Sequence, residues 1–468
     1  MKQRNQYLMK NTIIFAIGNF GTKMISFFLV PLYTNLLSPG EYGIVDLILT
    51  IGTVIIPFLT FNIADGIMRF ALDKDADYKQ ITGIGIIMMI FSTLAIFLLM
   101  PFFQMSESLK DYSALVCVFT VTLGYSQIAL ANLRGQEKLL QYSVGNIIQS
   151  FAIALLNIIF LSRFQEKVEG YLWAYIIANC LTTVYALLKG NMKAIFQGFH
   201  IQRSLVKEMF KYSLGLMPNA LMWWIMNSSD RIMITAFLGA SANGLFAVAY
   251  KIPTLLTTVA NTFTQAWSYS AIREAESEDK DDYSNKVYDG LVAVVLLLSC
   301  GMILFIKPFF RFYVEKSYFI AWRYAPFLII SFVFITLSTF VGTTYIVYKD
   351  SKGFLKGAIL GAVLNIVLNL ILIPQIGING AGVATAVGYF FVFIYRVKDT
   401  QKYLKLIVMN KRDVIGYVLL FLMSATVYWD TWKGYVMLFA EFLCIVVVFR
   451  KFIVEMFQRL LKRQEITK

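Results

Sequence analysis

Long apolar segments alternate with short polar ones along almost the whole chain. An α-helix needs about 20 predominantly apolar residues to cross the hydrocarbon core of a bilayer, and most of these segments reach that length. The pattern therefore predicts an all-α polytopic membrane protein with about 14 transmembrane helices. The expected spans are residues 12–37, 44–68, 82–104, 112–133, 143–162, 170–188, 210–237, 245–268, 287–306, 324–348, 354–374, 381–400, 414–429 and 434–450.

Basic residues fall mainly in alternate loops between these segments. With both termini placed in the cytoplasm, 31 of the 42 Lys and Arg residues lie in inner loops and terminal segments, and eight lie in outer loops. Because Lys and Arg accumulate on the cytoplasmic side of membrane proteins, the sequence predicts a multi-pass topology with both termini cytoplasmic.

Composition narrows the classes of function. Hydrophobic residues make up 58% of the chain, and every polar loop is too short for a soluble catalytic domain, so we expect no enzyme. Inner loops in contact with anionic lipid explain the net charge of +14 better than nucleic-acid binding does. The four cysteines lie within apolar segments and the lone histidine, His200, in a basic inner loop, so we expect no metal site and no cofactor.

Short motifs recur along the chain at two constant separations. The motif from Leu37 to Gly43 resembles the one from Leu238 to Gly244, and the motif from Tyr142 to Gly145 resembles the one from Phe354 to Gly357. An even number of helices in each half makes the two halves parallel, related by an axis along the membrane normal. We therefore expect three domains: a six-helix lobe at residues 1–200, a second six-helix lobe at 201–402, and a helix pair with a basic tail at 403–468.

Prolines interrupt the first two expected helices of each half. They are Pro31, Pro57, Pro218 and Pro253. Proline removes a backbone donor and bends a helix, and the freed carbonyl must find a partner in protein or water. Two interpretations stay open: a kink that serves packing alone, or a hinge in a helix that lines a cavity.

The same four helices carry charges at bilayer depth. The basic residues are Lys23, Arg231 and Lys251, and the acidic residues are Asp46, Asp65 and Asp230. Such a charge costs on the order of 2.5–3.5 kcal/mol on insertion scales, so it faces protein or water. Either these residues form structural ion pairs, such as Asp46 with Lys251, or the three cations line a water-filled cleft and bind an anionic head group. The acids are candidates for charge pairing or for binding a coupling ion, H⁺ or Na⁺.

Four motifs, taken in order, carry a resemblance to a known family. They are Asn11 to Gly21, Pro31 to Gly43, Leu133 to Lys138, and Gly377 to Thr385. Over about residues 8–402, the chain resembles the lipid-linked oligosaccharide flippases of the polysaccharide-transporter branch of the multidrug/oligosaccharidyl-lipid/polysaccharide (MOP) exporter superfamily.

The resemblance implies a V-shaped bundle of two six-helix lobes with a cationic cavity, in the bacterial cytoplasmic membrane. It implies the transport of undecaprenyl-diphosphate-linked oligosaccharide from the inner to the outer leaflet by alternating access, for surface polysaccharide synthesis. A cation gradient or the membrane potential would drive transport, because the chain has no nucleotide-binding loop. The implied partners are this lipid-linked substrate, membrane lipids and other membrane proteins of polysaccharide assembly. Lys23, Arg231 and Lys251 correspond to the family's cavity cations only as a residue type.

Other functions stay open from the sequence. A lipid-linked peptidoglycan precursor flippase shares the fourteen-helix plan but should show more cavity arginines. A cation-coupled drug exporter usually carries cations, which Lys23, Arg231 and Lys251 would repel. A membrane polysaccharide polymerase would need a larger outer loop than residues 307–323 provide.

Overall fold

A computed structural model of the chain describes residues 21–73, 76–164, 166–190, 202–456 and 458. The expected first part of helix one, His200 and most of the basic tail lie outside the described residues. Nearly all of the described chain is helical, and this part contains no strand. The prediction of an all-α polytopic membrane protein is confirmed.

The structure divides into two compact units, the first ending at Ala247 and the second beginning at Val248. In the first unit, residues 21–28 are helical and a 3₁₀ helix lies at Lys110–Tyr112. The α-helices that follow residue 28 are α1 (Val30–Leu36), α2 (Pro39–Leu59), α3 (Ile63–Ala71), α4 (Tyr78–Leu98), α5 (Met100–Gln104), α6 (Ser113–Gly135), α7 (Leu139–Ser162), α8 (Val168–Lys189), α9 (Arg203–Leu238) and α10 (Ala240–Ala249), whose last residues pass into the second unit.

The second unit is built around α13, which packs against α11, α12, α15 and α16. Its helices are α11 (Lys251–Arg273), α12 (Lys280–Tyr313), a 3₁₀ helix (Lys316–Tyr324), α13 (Ala325–Val347), α14 (Ser351–Ile376), α15 (Ile378–Thr400), α16 (Lys411–Thr426) and α17 (Trp432–Val448).

Four of the expected helices are each divided in two. The expected span 44–68 breaks at Phe61 and Asn62, whose φ angles of 49° and 58° cannot continue a right-handed helix. The spans 12–37, 82–104 and 245–268 break at Leu29, Leu99 and Tyr250. Asp65 therefore lies at the start of α3, and not near the inner end of one long second helix.

Three of the four prolines lie close to these breaks. Pro31 is the second residue of α1, Pro57 lies in the last turn of α2, and Pro253 lies in the first turn of α11. Pro218 is different because α9 continues through it as one 36-residue helix.

Two long helices are too polar to count as apolar spans. Nine helical segments within the described residues are long and apolar enough to cross a bilayer, and neither α9 nor α11 is among them. α9 exposes Asn219, while α11 exposes Asn261, Thr262 and Gln265. Polar side chains at bilayer depth must face protein or water, so these two helices are the ones that most need a polar environment.

The internal repeat extends to helix boundaries. α2 begins at Pro39 and α10 at Ala240, while α7 begins at Leu139 and α14 at Ser351. The starts of α2 and α10 are as far apart as the motifs that begin at Leu37 and Leu238. The starts of α7 and α14 are as far apart as the motifs that begin at Tyr142 and Phe354.

The turns before α7 and α14 also repeat. Glu137 and Lys349, which keep the same separation as the starts of these two helices, both have a φ of 55°, which is uncommon for residues other than glycine.

The domain limits at residues 200 and 402 stay a prediction. The division into compact units falls at residue 247 because α9 packs on α2 and α3.

Candidate functional site

An ion pair joins α2 to α9 within the first unit. Arg231 Nε lies 2.8 Å from Asp46 Oδ2, and the two side chains are 15% and 16% exposed. Mutual neutralisation lowers the cost of holding both groups at bilayer depth. Both side chains are only partly buried.

Asn243 on α10 connects this pair to the backbone of α2. Its Nδ2 donates to Gly43 O at 2.8 Å and to Asp46 Oδ2 at 3.4 Å. Both partners are acceptors, which fixes the orientation of the amide. The Oδ1 atom of this fully buried side chain has no hydrogen-bond partner in the described part of the chain. We call Asp46, Arg231 and Asn243 the charge cluster.

The first turns of α2 and α10 touch at two glycines beside the charge cluster. A Cβ placed on Gly43 would lie only 1.8 Å from Ala240 O, and one on Gly244 would lie 1.9 Å from Pro39 O. The contact is reciprocal, because the internal repeat relates Gly43 to Gly244 and Pro39 to Ala240. We call these four residues the glycine crossing.

Local sequence explains why both helices begin here. Ser38 and Glu41 form a capping box, in which the Ser38 N–H donates to Glu41 Oε2 at 2.8 Å. Glu41 also pairs with Lys167 Nζ at 2.8 Å. Gly239, at φ +85°, joins α9 to α10 in a conformation that few residues other than glycine adopt.

Stacked tyrosines support the start of α2. The rings of Tyr33 and Tyr171 lie 4.8 Å apart, those of Tyr171 and Tyr175 5.1 Å, and those of Tyr33 and Tyr42 6.0 Å. They pack α1 and α2 against α8, so aromatic contacts hold the start of α2.

The remaining expected site residues are Lys23, Lys251, Asp65 and Asp230. Lys23 is exposed on the helical segment 21–28, and Lys251 is the partly buried first residue of α11, in the second unit. Asp65 is exposed and accepts a hydrogen bond from Asn62 Nδ2 at 2.8 Å. Asp230 is buried on α9. Of the expected residues, the structure thus brings Asp46 and Arg231 together.

Sequence reasoning missed the burial of Arg396. We counted it with the inner loop after the twelfth span, yet it is buried on α15. Its NH1 donates to Ser338 O at 2.8 Å, and the guanidinium lies 4.7 Å from the centre of the Phe354 ring. A Cβ on Gly342 would lie 2.6 Å from this NH1, so a glycine makes room for the arginine. The sequence signal for this burial is that Arg396 lies inside the expected span 381–400.

Two further charged groups were missed in the helices that follow. Glu441 on α17 is 7% exposed and accepts a hydrogen bond from Thr426 Oγ1 at 2.9 Å. Lys307, expected in an outer loop, is buried, donates to Asp430 Oδ1 at 2.5 Å and lies 4.4 Å from the Trp322 ring centre. Glu441 could have been noticed because it lies within the last expected span.

An ionic network joins the loop after α13 to the end of α15 and the residues that follow it. Lys402 Nζ contacts Asp350 Oδ2 at 3.1 Å and Asp399 Oδ1 at 3.2 Å. The backbone N–H of Gly353 and the Lys402 ammonium lower the pKa of Asp350. The carboxylates of Asp350 and Asp399 raise the pKa of Lys402.

A family model described as "Polysaccharide biosynthesis protein" matches residues 8–269, more than half of the chain. No curated protein sequence matches the chain significantly.

Several solved transporters share the fold. "Lipid II flippase MurJ, inward closed conformation" has a TM-score of 0.69 and 13% identity, over 97% of this chain and 100% of that chain. An inward-facing multidrug resistance MATE family transporter of the MOP superfamily has a TM-score of 0.65 and 13% identity, over 83% and 98%. A MATE transporter of Vibrio cholerae has a TM-score of 0.55 and 14% identity, over 85% and 97%. The expected resemblance to the MOP superfamily is confirmed.

Proposed function

Because this chain belongs to the polysaccharide biosynthesis protein family, we propose that it is a flippase for an undecaprenyl-diphosphate-linked oligosaccharide. It moves the repeat unit from the inner to the outer leaflet of the bacterial cytoplasmic membrane, with both of its own termini in the cytoplasm. The observation that carries the proposal is the ion pair between Arg231, on the polar helix α9, and Asp46, on α2.

The substrate has two parts with opposite needs. Its polyprenyl tail is soluble in the hydrocarbon core of the bilayer, whereas its diphosphate and glycan need a polar environment. A guanidinium can bind phosphate oxygens with two parallel hydrogen bonds, which lets it replace part of the head group's water. Arg231 fills that role in the proposal, while Lys23 and Lys251 add point charges along the path.

Asp46 has a second part in this mechanism. It neutralises Arg231 while no substrate is bound, and a diphosphate must displace it. The displaced carboxylate then lacks its cation, and a coupling ion, H⁺ or Na⁺, takes that place in the proposal. Asp46 is therefore our first choice among Asp46, Asp65 and Asp230 for coupling transport to an ion gradient.

The prolines supply the bending that transport requires. Pro31, Pro57 and Pro253 lie beside helix breaks, where little further hydrogen bonding is lost on bending. Pro218 lies on α9 between the polar exposed residue Asn219 and the inner end of that helix. In this proposal the lobes comprise residues 1–200 and 201–402.

The test is transbilayer movement of undecaprenyl-diphosphate-oligosaccharide in proteoliposomes, followed with a sugar-modifying reagent that reaches only the outer face. We expect Arg231→Ala to abolish movement and Arg231→Lys to retain part of it. Arg163→Ala, which removes an exposed arginine of the same unit, is the matched control and should behave as wild type.

A parallel arm uses an undecaprenyl-diphosphate-linked peptidoglycan precursor. Movement of that lipid alone would overturn the assignment in favour of the peptidoglycan alternative. Wild-type rates for Arg231→Ala would remove Arg231 from the site.

A further inference from the structure

The charge cluster and the glycine crossing share one side chain. Asn243 donates both to Asp46, the partner of Arg231, and to Gly43 O, at the crossing itself. We propose that Asn243 couples the occupancy of Arg231 to the glycine crossing, so that a bound diphosphate loosens the contact between α2 and α10. This inference rests on the proposed function, because it takes Arg231 as the group that meets the diphosphate.

The first step concerns the competition for Arg231. A diphosphate that binds the guanidinium takes away the cation that now lies 2.8 Å from Asp46 Oδ2. The carboxylate must then draw more on its remaining donor, Asn243 Nδ2, now at 3.4 Å. Hydrogen bonds to a charged acceptor are roughly twice as strong as neutral ones, so the amide moves toward Asp46.

The second step concerns the carbonyl of Gly43. Its hydrogen bond from Asn243 is neutral and 2.8 Å long, and it crosses from α10 to α2. Movement of the amide toward Asp46 lengthens this bond. The crossing has no side chain between its backbones to compensate, because Gly43 and Gly244 bring the chains into direct contact.

The third step concerns the orphan acceptor of Asn243. Its Oδ1 lacks a partner among the described residues while the crossing is closed. A buried acceptor without a donor destabilises the closed state. Separation of α2 and α10 admits water to this atom and removes that destabilisation. In this proposal the free-energy difference between the closed and the open crossing is therefore small enough for a bound ligand to reverse it.

The experiment measures closure of the crossing by disulfide formation. A Cβ on Gly40 would lie 3.2 Å from Ser241 Oγ, which puts a cysteine pair at these positions within bonding reach. Gly40→Cys and Ser241→Cys are combined in a chain whose four cysteines are replaced by alanine. The rate of cross-linking by an added oxidant is measured in proteoliposomes with and without undecaprenyl diphosphate.

We expect the probe to slow cross-linking severalfold when Asn243 is present and to have no effect in Asn243→Ala. Asn243→Asp places a second carboxylate beside Asp46, so it should slow cross-linking without any probe. The matched control pair is Phe160→Cys with Gly170→Cys, which joins α7 to α8, because a Cβ on Gly170 would lie 3.1 Å from Phe160 Cβ. The probe should leave its rate unchanged.

Equal slowing with Asn243 and with Asn243→Ala would overturn the coupling through Asn243. The coupling would also be overturned if undecaprenyl diphosphate binds to the same vesicles, as measured directly, but leaves the cross-linking rate unchanged. Loss of transport in Arg231→Ala together with either result would leave the proposed function standing. Absence of both probe binding and transport in wild type would count against the proposed function and this inference alike. Each variant is first compared with wild type by thermal unfolding, so that a folding defect is recognised.

Discussion

Gly43 and Gly244 contact each other in the first turns of α2 and α10, and they occupy equivalent positions in the internal repeat. Equivalent turns of the two halves therefore meet in a reciprocal contact. Such a contact needs glycine on both sides, because a Cβ at either position would strike a backbone carbonyl of the other helix.

Replacement of either glycine by alanine should open the crossing. The added Cβ would lie 1.8 Å from Ala240 O in Gly43→Ala and 1.9 Å from Pro39 O in Gly244→Ala. We expect each variant to lose about 1–3 kcal/mol of stability, as overpacking does elsewhere, and to transport severalfold more slowly. Thermal unfolding in detergent and the proteoliposome assay measure the two effects.

Gly215→Ala is the control for the glycine variants. It lies on α9, and a Cβ there would meet no other atom within 4 Å. Because alanine favours helix over glycine, this variant should be as stable as wild type or more so. Equal behaviour of all three variants would show that the crossing is not tightly packed.

Removal of Asp46 alone should be more harmful to stability than removal of the whole pair. Asp46→Ala leaves the partly buried Arg231 without this carboxylate, and breaking a pair of this kind costs up to about 3–5 kcal/mol. We expect the double variant Asp46→Ala with Arg231→Ala to regain most of the stability and none of the transport. Additive losses of stability in the double variant would contradict an interaction between the two residues.

The ionic network around Lys402 should give a stability contribution with two limits in pH. The pKa of Asp350 is lowered in the folded protein, so its contribution is present above its unfolded value of about 3.9 and is lost as pH falls through the folded value. The pKa of Lys402 is raised, so its contribution is present below an unfolded value of about 10.4 and is lost as pH rises through the folded one.

Thermal unfolding of wild type and Lys402→Met across this range measures that contribution. The difference in melting temperature should be constant from about pH 5 to pH 9 and shrink on both sides. A difference that persists unchanged at pH 3 would exclude the Asp350–Lys402 pair as its source.

Glu441 tests whether a buried carboxyl is structural. Glu441→Gln keeps an oxygen that accepts the hydrogen bond from Thr426, so we expect wild-type melting and transport. Glu441→Ala removes the acceptor and leaves a cavity, with a loss of about 1–3 kcal/mol. Normal stability with no transport in Glu441→Gln would instead make this carboxyl part of the transport mechanism.

Pro218 tests the hinge proposal, because it lies inside a continuous helix. Pro218→Ala should raise stability, by up to about 3 kcal/mol, and slow transport by stiffening α9. Pro374→Ala changes an exposed proline inside α14 and serves as the control, since it should leave transport unchanged. Unchanged transport in both variants would count against a hinge at Pro218.

Local sequence determined most of the helices and their limits. Hydropathy alone identified the apolar spans, because a helix in a bilayer must be apolar along its own length whatever it packs against. The capping box of Ser38 and Glu41 is also local, since both of its hydrogen bonds join residues close together in the chain, and it explains why α2 begins at Pro39 and not at residue 44 as expected. Charges at bilayer depth, such as Arg231 and Asp46, were visible for the same reason.

Only the tertiary structure decided how these elements are divided and paired. Hydropathy continues across Phe61 and Asn62, so nothing in the pattern announced the break that their positive φ angles create. Arg231 follows Asp230 in sequence, yet α2 packs on α9 and gives it Asp46 as a partner. The recurrence of Gly43 at Gly244 was readable from the internal repeat, but their contact was not, because hydropathy and spacing carry no information about which distant helices cross.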